Sequence, residues 1–426
     1  MRLMLALGMF FTCSFEFASG ISIATEEITF SEKKVISSTS DGAWSVFAAD
    51  LDNDGFLDVI SSNTNNGEVA WFHNLGDSTF SEAYVISSTD LGAVSVFASD
   101  LNNDGYIDIL VAASLIDSLL WYSNNGDATF TAQPPISTTV DSVFSVYAGD
   151  LNGDGFEDVL SASQNDNQVL WFLNNQDGTF TEQPALSSDA EEPNTVFVID
   201  LDNDGSLDVL SASYADDSIN WYRNNGDSTF TTQTPISTTM DGAISVYADD
   251  LNNDGFNDVL AVGLANNAVV WYENNGNNTF SEHTPISLDV RGPNSVRTGD
   301  FDNDGFVDIL VTGYLDDSII WYRNNGDETF LEMSAITSTA NGVKNALAAD
   351  LDNDGYLDIV AASCYDDTIS WYQNLTQAEE IDDEVDDDFN EEEVESGNLQ
   401  LFISLLGIGV VVLTSVTTIL IVKKRH

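Results

Sequence analysis

Short apolar runs, separated by turns rich in Asp, Asn and Gly, recur along this chain every 50 residues. In the first copy the apolar runs cover Ser45 to Ala49, Leu57 to Ser61 and Val69 to His73. A polar turn and an alternating run from Thr79 to Ile86 follow. The first three runs are apolar on both faces, which predicts strands covered from both sides. The fourth, Thr79-Phe80-Ser81-Glu82, alternates as an outer strand facing water does. Later copies place Asn-Asn-Gly-Asp between the third and fourth runs (124–127, 224–227, 324–327), a hairpin signal because Asn and Gly accept positive φ. No stretch of the repeats follows the helical period. Four short strands per unit, sandwiched between neighbouring units, predict the blade of a β-propeller.

Three landmarks count the blades. Asp50, Asp100, Asp150, Asp200, Asp250, Asp300 and Asp350 open equivalent segments. Trp71, Trp121, Trp171, Trp221, Trp271, Trp321 and Trp371 recur in phase, each followed by Phe or Tyr, and at these strand positions they read as blade-to-blade core. A Thr-Phe pair recurs at Phe30, Phe80, Phe130, Phe180, Phe230, Phe280 and Phe330. The Thr-Phe strand comes first, at Ile28 to Ser37, and the last unit stops after Asn374 without one. Seven blades therefore result only if the N-terminal strand completes the last blade, which closes the ring. The sequence predicts an all-β, seven-bladed propeller over residues 27–376.

Each unit opens with Asp-x-[Asp/Asn]-x-Asp-Gly-x-x-Asp. The candidate ligands are Asp50, Asp52, Asp54 and Asp58; Asp100, Asn102, Asp104 and Asp108; Asp150, Asn152, Asp154 and Asp158; Asp200, Asp202, Asp204 and Asp208. The remaining copies supply Asp250, Asn252, Asp254 and Asp258; Asp300, Asp302, Asp304 and Asp308; Asp350, Asp352, Asp354 and Asp358. Alternating carboxylates around a glycine turn make the all-oxygen shell that calcium prefers. A helix-loop-helix site needs Glu at the twelfth position, where these loops have Ser61, Val111, Ser161, Ser211, Ala261, Val311 and Ala361. The flanks are strands, so the loops read as β-hairpin calcium sites, up to seven Ca²⁺ in all.

Composition sharpens this picture. Asp and Glu number 71 against 11 Lys and Arg, a formal charge of −60, which excludes electrostatic binding to nucleic acid. With 43% apolar residues the chain still has material for a core, so the acidity is not that of a disordered polymer. Two cysteines exclude a disulfide scaffold, and Cys364 reads as a small buried hydrophobe. Asn277-Asn278-Thr279 and Asn374-Leu375-Thr376 match the glycosylation pattern.

The two ends carry address and anchor. Residues 1–20 have the layout of a secretory signal. Residues 377–398 are an acidic stalk, 12 of the 17 residues from Glu379 to Glu395 being acidic. Residues 399–422 carry no charge and are long enough for a transmembrane helix. The basic tail, 423–426, predicts a cytoplasmic C-terminus with the propeller outside.

Repeated DxDxDGxxD followed by Trp-Tyr-x-Asn-Asn-Gly-Asp-x-Thr-Phe resembles the FG-GAP/VCBS repeat family, related to the propeller of integrin α subunits. The resemblance implies calcium loops joining the first and second strands of each blade on the lower face. Unlike those subunits, this chain has a loop in all seven repeats. The expected function is calcium-dependent adhesion or protein recognition at a cell surface. A lectin-like polysaccharide binder is the alternative, and a polysaccharide lyase on the same fold is a third reading. The upper-face turns diverge between repeats, which makes Leu115, Tyr214, Tyr314 and Tyr365 candidate contacts for a protein or glycan ligand, with Arg291 as a rare cation.

Overall fold

The acidic loops and the Asn-Gly turns are tight connections, and each draws its flanking runs into antiparallel hairpins. A computed structural model describes residues 28–188 and 190–376 of the protein. The signal at 1–20, the stalk at 377–398, the apolar span at 399–422 and the tail at 423–426 lie outside the described residues.

The described chain forms seven four-stranded antiparallel sheets arranged as the blades of a propeller. The first blade consists of Ala43–Ala49, Asp58–Asn63, Glu68–Phe72 and Tyr84–Ser87. Every residue of the second strand is buried in all seven blades, matching its two apolar faces. The fourth strand is shorter than the pattern predicts. In the second to sixth blades it spans only three residues, such as Phe130–Ala132, and resumes as an isolated bridge such as Leu119 to Ser137. Pro134, Pro184, Pro235 and Pro285 fall in four of these interruptions, and proline has no N–H to donate to a ladder.

Closure follows the predicted route. Lys34–Ser37 pairs antiparallel with Thr368–Tyr372, and Phe30 bridges Asn374. The seventh blade is thus built from both ends of the repeat region.

The core lies between blades as seven separate layers. One of them joins Val46, Val59 and Phe72 of the first blade to Val360, Ile369 and Trp371 of the last. The recurring tryptophans belong to these layers; Trp121 meets Phe180 of the next blade edge-to-face at 5.6 Å, and Trp371 meets Phe80 at 5.8 Å across the closure. The innermost strands have no neighbour on their axial side. Hydroxyls there accept across blades: Ser45 from the Val96 N–H at 3.4 Å and Ser95 from the Val146 N–H at 3.3 Å.

A buried relay ties the blades together around the ring. The carboxylate at the ninth loop position, Asp58 in the first blade, is fully buried and accepts the Asn74 N–H at 2.8 Å and the Leu51 N–H at 3.1 Å. The Asn74 amide then donates to the Leu351 carbonyl of the preceding blade at 2.7 Å. Asn124, Asn174, Asn224, Asn274, Asn324 and Asn374 repeat the step, to Leu51, Leu101, Leu151, Leu201, Leu251 and Phe301. A buried polar group left without its partner costs about 1–3 kcal/mol, so the relay demands correct blade placement. The two matches to the glycosylation pattern differ in setting: Asn374 is 1% exposed with its amide committed to the relay, whereas Asn277 is exposed.

Deleting residues 28–37 strips the outer strand from the seventh blade and exposes an unpaired edge. Loss of Ile28, Phe30 and Ile36 from their packing sites adds about 3 kcal/mol or more of destabilisation. The deletion variant should melt well below the intact protein by circular dichroism; an unchanged melting temperature would show that closure does not depend on this strand.

Candidate metal centres and binding face

The acidic loops, residues 50–57 in the first blade, join first and second strands. Asp50 shapes its loop by accepting the Asp54 N–H at 3.1 Å and the Gly55 N–H at 3.0 Å, and the same pair of bonds occurs in every copy. The bend needs left-handed backbone at two places: Asn53 has φ of 60° and Gly55 of 92°. The fourth-position asparagine also links loop to loop, since Asn103 donates to the Gly155 carbonyl at 2.7 Å and Asn353 to that of Gly55 at 3.0 Å. Gly153 interrupts this chain in the third loop.

Four loops carry aspartate at the third position, and among the described residues these are the loops whose acidic side chains converge. Asp50, Asp52 and Asp54, and separately Asp52, Asp58 and His73, bring ligand atoms within 4.8 Å of one another; so do Asp200, Asp202 and Asp208, Asp300, Asp302 and Asp304, and Asp350, Asp352 and Asp358. In each of the four, the third-position Oδ1 (of Asp52, Asp202, Asp302 or Asp352) is buried with no hydrogen-bond donor. A buried carboxylate oxygen without a donor is costly, and a cation satisfies it. These residues fit a divalent metal. Where the third residue is Asn102, Asn152 or Asn252, its Oδ1 accepts the N–H of the fifth residue at 2.9–3.0 Å, and the loop is closed by its own bonds.

The ninth-position carboxylates hold two positions at once, facing the loop and anchoring the relay. Burial pushes Asp58 up to about 6, and Asp108, Asp158, Asp208, Asp258, Asp308 and Asp358 to about 7. Asp108 and Asp158 each retain an Oδ2 without a donor.

One set of loop partners escapes sequence reading. The residue just beyond the third strand's Trp-[Phe/Tyr] pair faces the loop. His73 Nδ1 lies 3.1 Å from Asp52 Oδ2, Arg223 Nη2 lies 2.7 Å from Asp204 Oδ2, and Arg323 Nη2 lies 3.0 Å from Asp304 Oδ2. Gln373 donates to Asp352. The asparagine loops have Ser123, Leu173 and Glu273 at that place, none of them cationic. Extra loop charge is thus matched by a donor on the neighbouring strand. The signal was available in that single repeat column, read beside the third loop position.

The opposite face is built from the turns between second and third strands and those entering each blade, which bond to one another, as Thr64 N–H does to the Gly42 carbonyl at 3.0 Å. Leu115 is 73% exposed, Tyr365 62% and Tyr214 37%, so these three stand at the surface. Tyr314 is partly buried; its hydroxyl meets that of Tyr365, their rings 5.4 Å apart. Arg291 is exposed beside this pair, its carbonyl accepting the Leu315 N–H at 3.1 Å. Tyr314, Tyr365 and Arg291 therefore share one sector, while Leu115 and Tyr214 sit on the second and fourth blades. Cys364 is partly buried, and burial raises its thiol pKa.

The FG-GAP-like repeat profile matches six overlapping segments, 53–111, 100–161, 150–211, 200–261, 250–311 and 300–361. The chain belongs to the FG-GAP-like repeat family. No curated protein matches it significantly. Among solved structures, this FG-GAP repeat protein is similar in fold to an Agrocybe aegerita lectin described as recognising non-reducing terminal N-acetylglucosamine. The identity is 21% and the TM-score 0.51, over 69% of this chain and 80% of the lectin. It is also similar to a streptogramin B lyase, at 18% identity and TM-score 0.56, over 80% and 97% of the two chains. A third likeness is to BBS1N, solved in complex with ARL6DN, at 13% identity and TM-score 0.58, over 82% and 98%. These likenesses concern the propeller fold.

Replacing Arg223 with Gln removes a guanidinium paired with Asp202 and Asp204, the carboxylates that a metal ion would need at this loop. A charge-assisted bond of about 1.5–3 kcal/mol makes the expected gain in calcium affinity at that loop about tenfold or more. Isothermal titration that finds unaltered binding in Arg223→Gln would show that the arginine does not compete.

Proposed function

We propose that this protein is a calcium-stabilised propeller displayed outside a membrane, which captures an extracellular protein through its turn face. The observation that carries this reading is the contrast between the two faces. The acidic loops are near copies of each other, while the opposite turns differ blade by blade and hold exposed Leu115, Tyr214, Leu315 and Tyr365. Large apolar side chains gathered in exposed turns favour a contact surface, and aromatic anchors dominate such contacts.

Calcium is the metal we assign to the loops. Their donors are carboxylate and amide oxygens, which suit a hard cation, and bound calcium would neutralise charge that otherwise drives the loops apart. The export layout of residues 1–20 and the uncharged span 399–422 before a basic tail support display on a membrane, with the tail in the cytoplasm. A glycan-binding reading has one observation of its own, the paired Tyr314 and Tyr365 rings beside exposed Arg291, an aromatic platform suited to a sugar face. In both readings the protein binds and does not catalyse.

Two outcomes are expected. Chelating calcium should lower the melting temperature of the propeller, and excess calcium should restore it by mass action; insensitivity to chelator in differential scanning calorimetry would remove calcium from the reading. Replacing Tyr214, Tyr314 and Tyr365 together with serine should weaken ligand capture by at least tenfold, since truncating one anchor often costs about 2 kcal/mol. The calcium-dependent melting should stay as it was. Capture that survives these replacements but is lost on altering the acidic-loop face would move the binding site there.

A further inference from the structure

The axis of the ring holds a cavity of ≈ 730 Å³ lined by the first strands of all the blades. That volume lies within the ~300–1,000 Å³ of small-molecule sites. Its middle is an arc of rings in tilted or edge-to-face contact: Phe47 to Phe97 at 4.8 Å, Phe97 to Tyr147 at 4.3 Å, Tyr147 to Phe197 at 5.4 Å and Phe197 to Tyr247 at 4.3 Å. Arg297 takes the next place in the arc, with its guanidinium 5.3 Å from the Tyr247 ring. Nearer the turn face, Lys344 Nζ lies 3.6 Å from the Tyr314 ring centroid and 4.3 Å from that of Trp44.

Among the described residues, neither cation has an ion-pair partner. Lys33, Arg223 and Arg323 do pair with carboxylates, in a chain of charge −60 where acidic groups abound. Arg297 makes one hydrogen bond, from Nη1 to its neighbour Val296's carbonyl at 2.7 Å, which leaves most of its five donors unused. Among the described residues Lys344 lies against the two ring faces, with the Cys364 thiol the other group that acts on its charge. Cation–π contact offsets charge but provides no hydrogen-bond acceptor. Partial burial in the cavity pulls both pKa values down. The one carboxylate that lines the cavity, Asp350, belongs to an acidic loop at its other end.

We propose that this axial cavity is a binding site for a small organic carboxylate with a planar apolar body. The carboxylate pairs with the Arg297 guanidinium, a fork suited to bidentate contact. The apolar body lies along the arc of rings, where offset stacking rewards a flat surface. Lys344, three strand positions closer to the turn face and thus ~10 Å along the channel, marks the entrance and draws the anion in. The site is separate from the protein-capturing turn face, although Tyr314 borders both. Sequence reading misses it because Arg297 is the one cation in an otherwise apolar or aromatic column, and Lys344 the one cation in a column of mixed residues that includes Asn194 and Asn294. One reads Phe47, Phe97, Tyr147, Phe197, Tyr247, Arg297, Leu347, and the other has Trp44, Phe144, Ile244 and Lys344 among its members.

The test uses the calcium-loaded full-length protein and three probes: 1-naphthoate, the neutral 1-naphthalenemethanol, and glucuronate as an acidic sugar. Titration calorimetry should find 1-naphthoate binding at least tenfold tighter than either other probe. Arg297→Gln should cost that probe at least tenfold, and Lys344→Met about threefold or more, with the melting temperature unchanged. Should Arg297→Gln fail to fold, Lys344→Met at the entrance carries the test. Equal binding of naphthoate and its neutral analogue, or variants that bind naphthoate as the parent does, would overturn the proposal. Arginine-dependent binding of glucuronate without naphthoate binding would overturn the apolar-body part of it. Tyrosine-dependent capture of a protein ligand that persists in Arg297→Gln leaves the turn-face function standing whatever the fate of the axial site.

Discussion

Everything in this ring hangs on one buried carboxylate per blade. Asp58 and its six equivalents are wholly excluded from water, yet each carries two jobs that no neutral side chain combines. It accepts the backbone of the Asn-Gly turn, which holds the third strand against the second. Through that asparagine it also fixes the contact to the preceding blade. Because the relay ends on a backbone carbonyl of the neighbour, blades that slide or rotate lose buried hydrogen bonds in every interface. The apolar layers between blades supply the larger share of the folding energy, but they are permissive about register. The relay supplies the specificity.

The same carboxylate connects the scaffold to the acidic loops, whose clustered side chains could hold a metal ion. Held by the relay on one side, it faces the acidic loop on the other, so the loop's charge state is felt at the blade interface. Charge in these loops is graded, four of them having aspartate at the third position and three asparagine. In the aspartate loops a donor from the third strand, His73, Arg223, Arg323 or Gln373, already leans on the carboxylates. The seven loops therefore form a set with differing demands for a cation, and the two with arginine carry the strongest internal counter-charge.

The division of labour between faces follows from the topology. Both kinds of tight acidic or amide-rich connection emerge on one side, where structural duty keeps their sequences alike. The remaining turns emerge on the other side, free of that duty, and it is here that bulky and aromatic residues stand in water. The axial cavity joins the two sides. Its aromatic collar, and two cations that pair with no carboxylate among the described residues, set it apart from the rest of a strongly anionic molecule.

Much of this was legible in the sequence because its cause is local. The 50-residue period, the four strands per unit, the seven acidic loops and the closure by Ile28 to Ser37 all rest on hairpins and on counting, and neighbouring residues decide hairpins. The proline interruptions of the fourth strand were present in the sequence too, though the Thr-Phe alternation masked them. What only the tertiary structure decided is which residues meet across blades. Asn124 and Leu51 are 73 residues apart, and Asn374 reaches Phe301 over the same interval. The chain carries no local mark of these pairings, so the relay, the burial of Asn374 and the second role of Asp58 came from the packed ring. Lys344 between Trp44 and Tyr314 is the extreme case, since the three residues belong to three different blades. Periodicity determines each blade from within; the contacts between blades and around the axis exist only once the circle is closed.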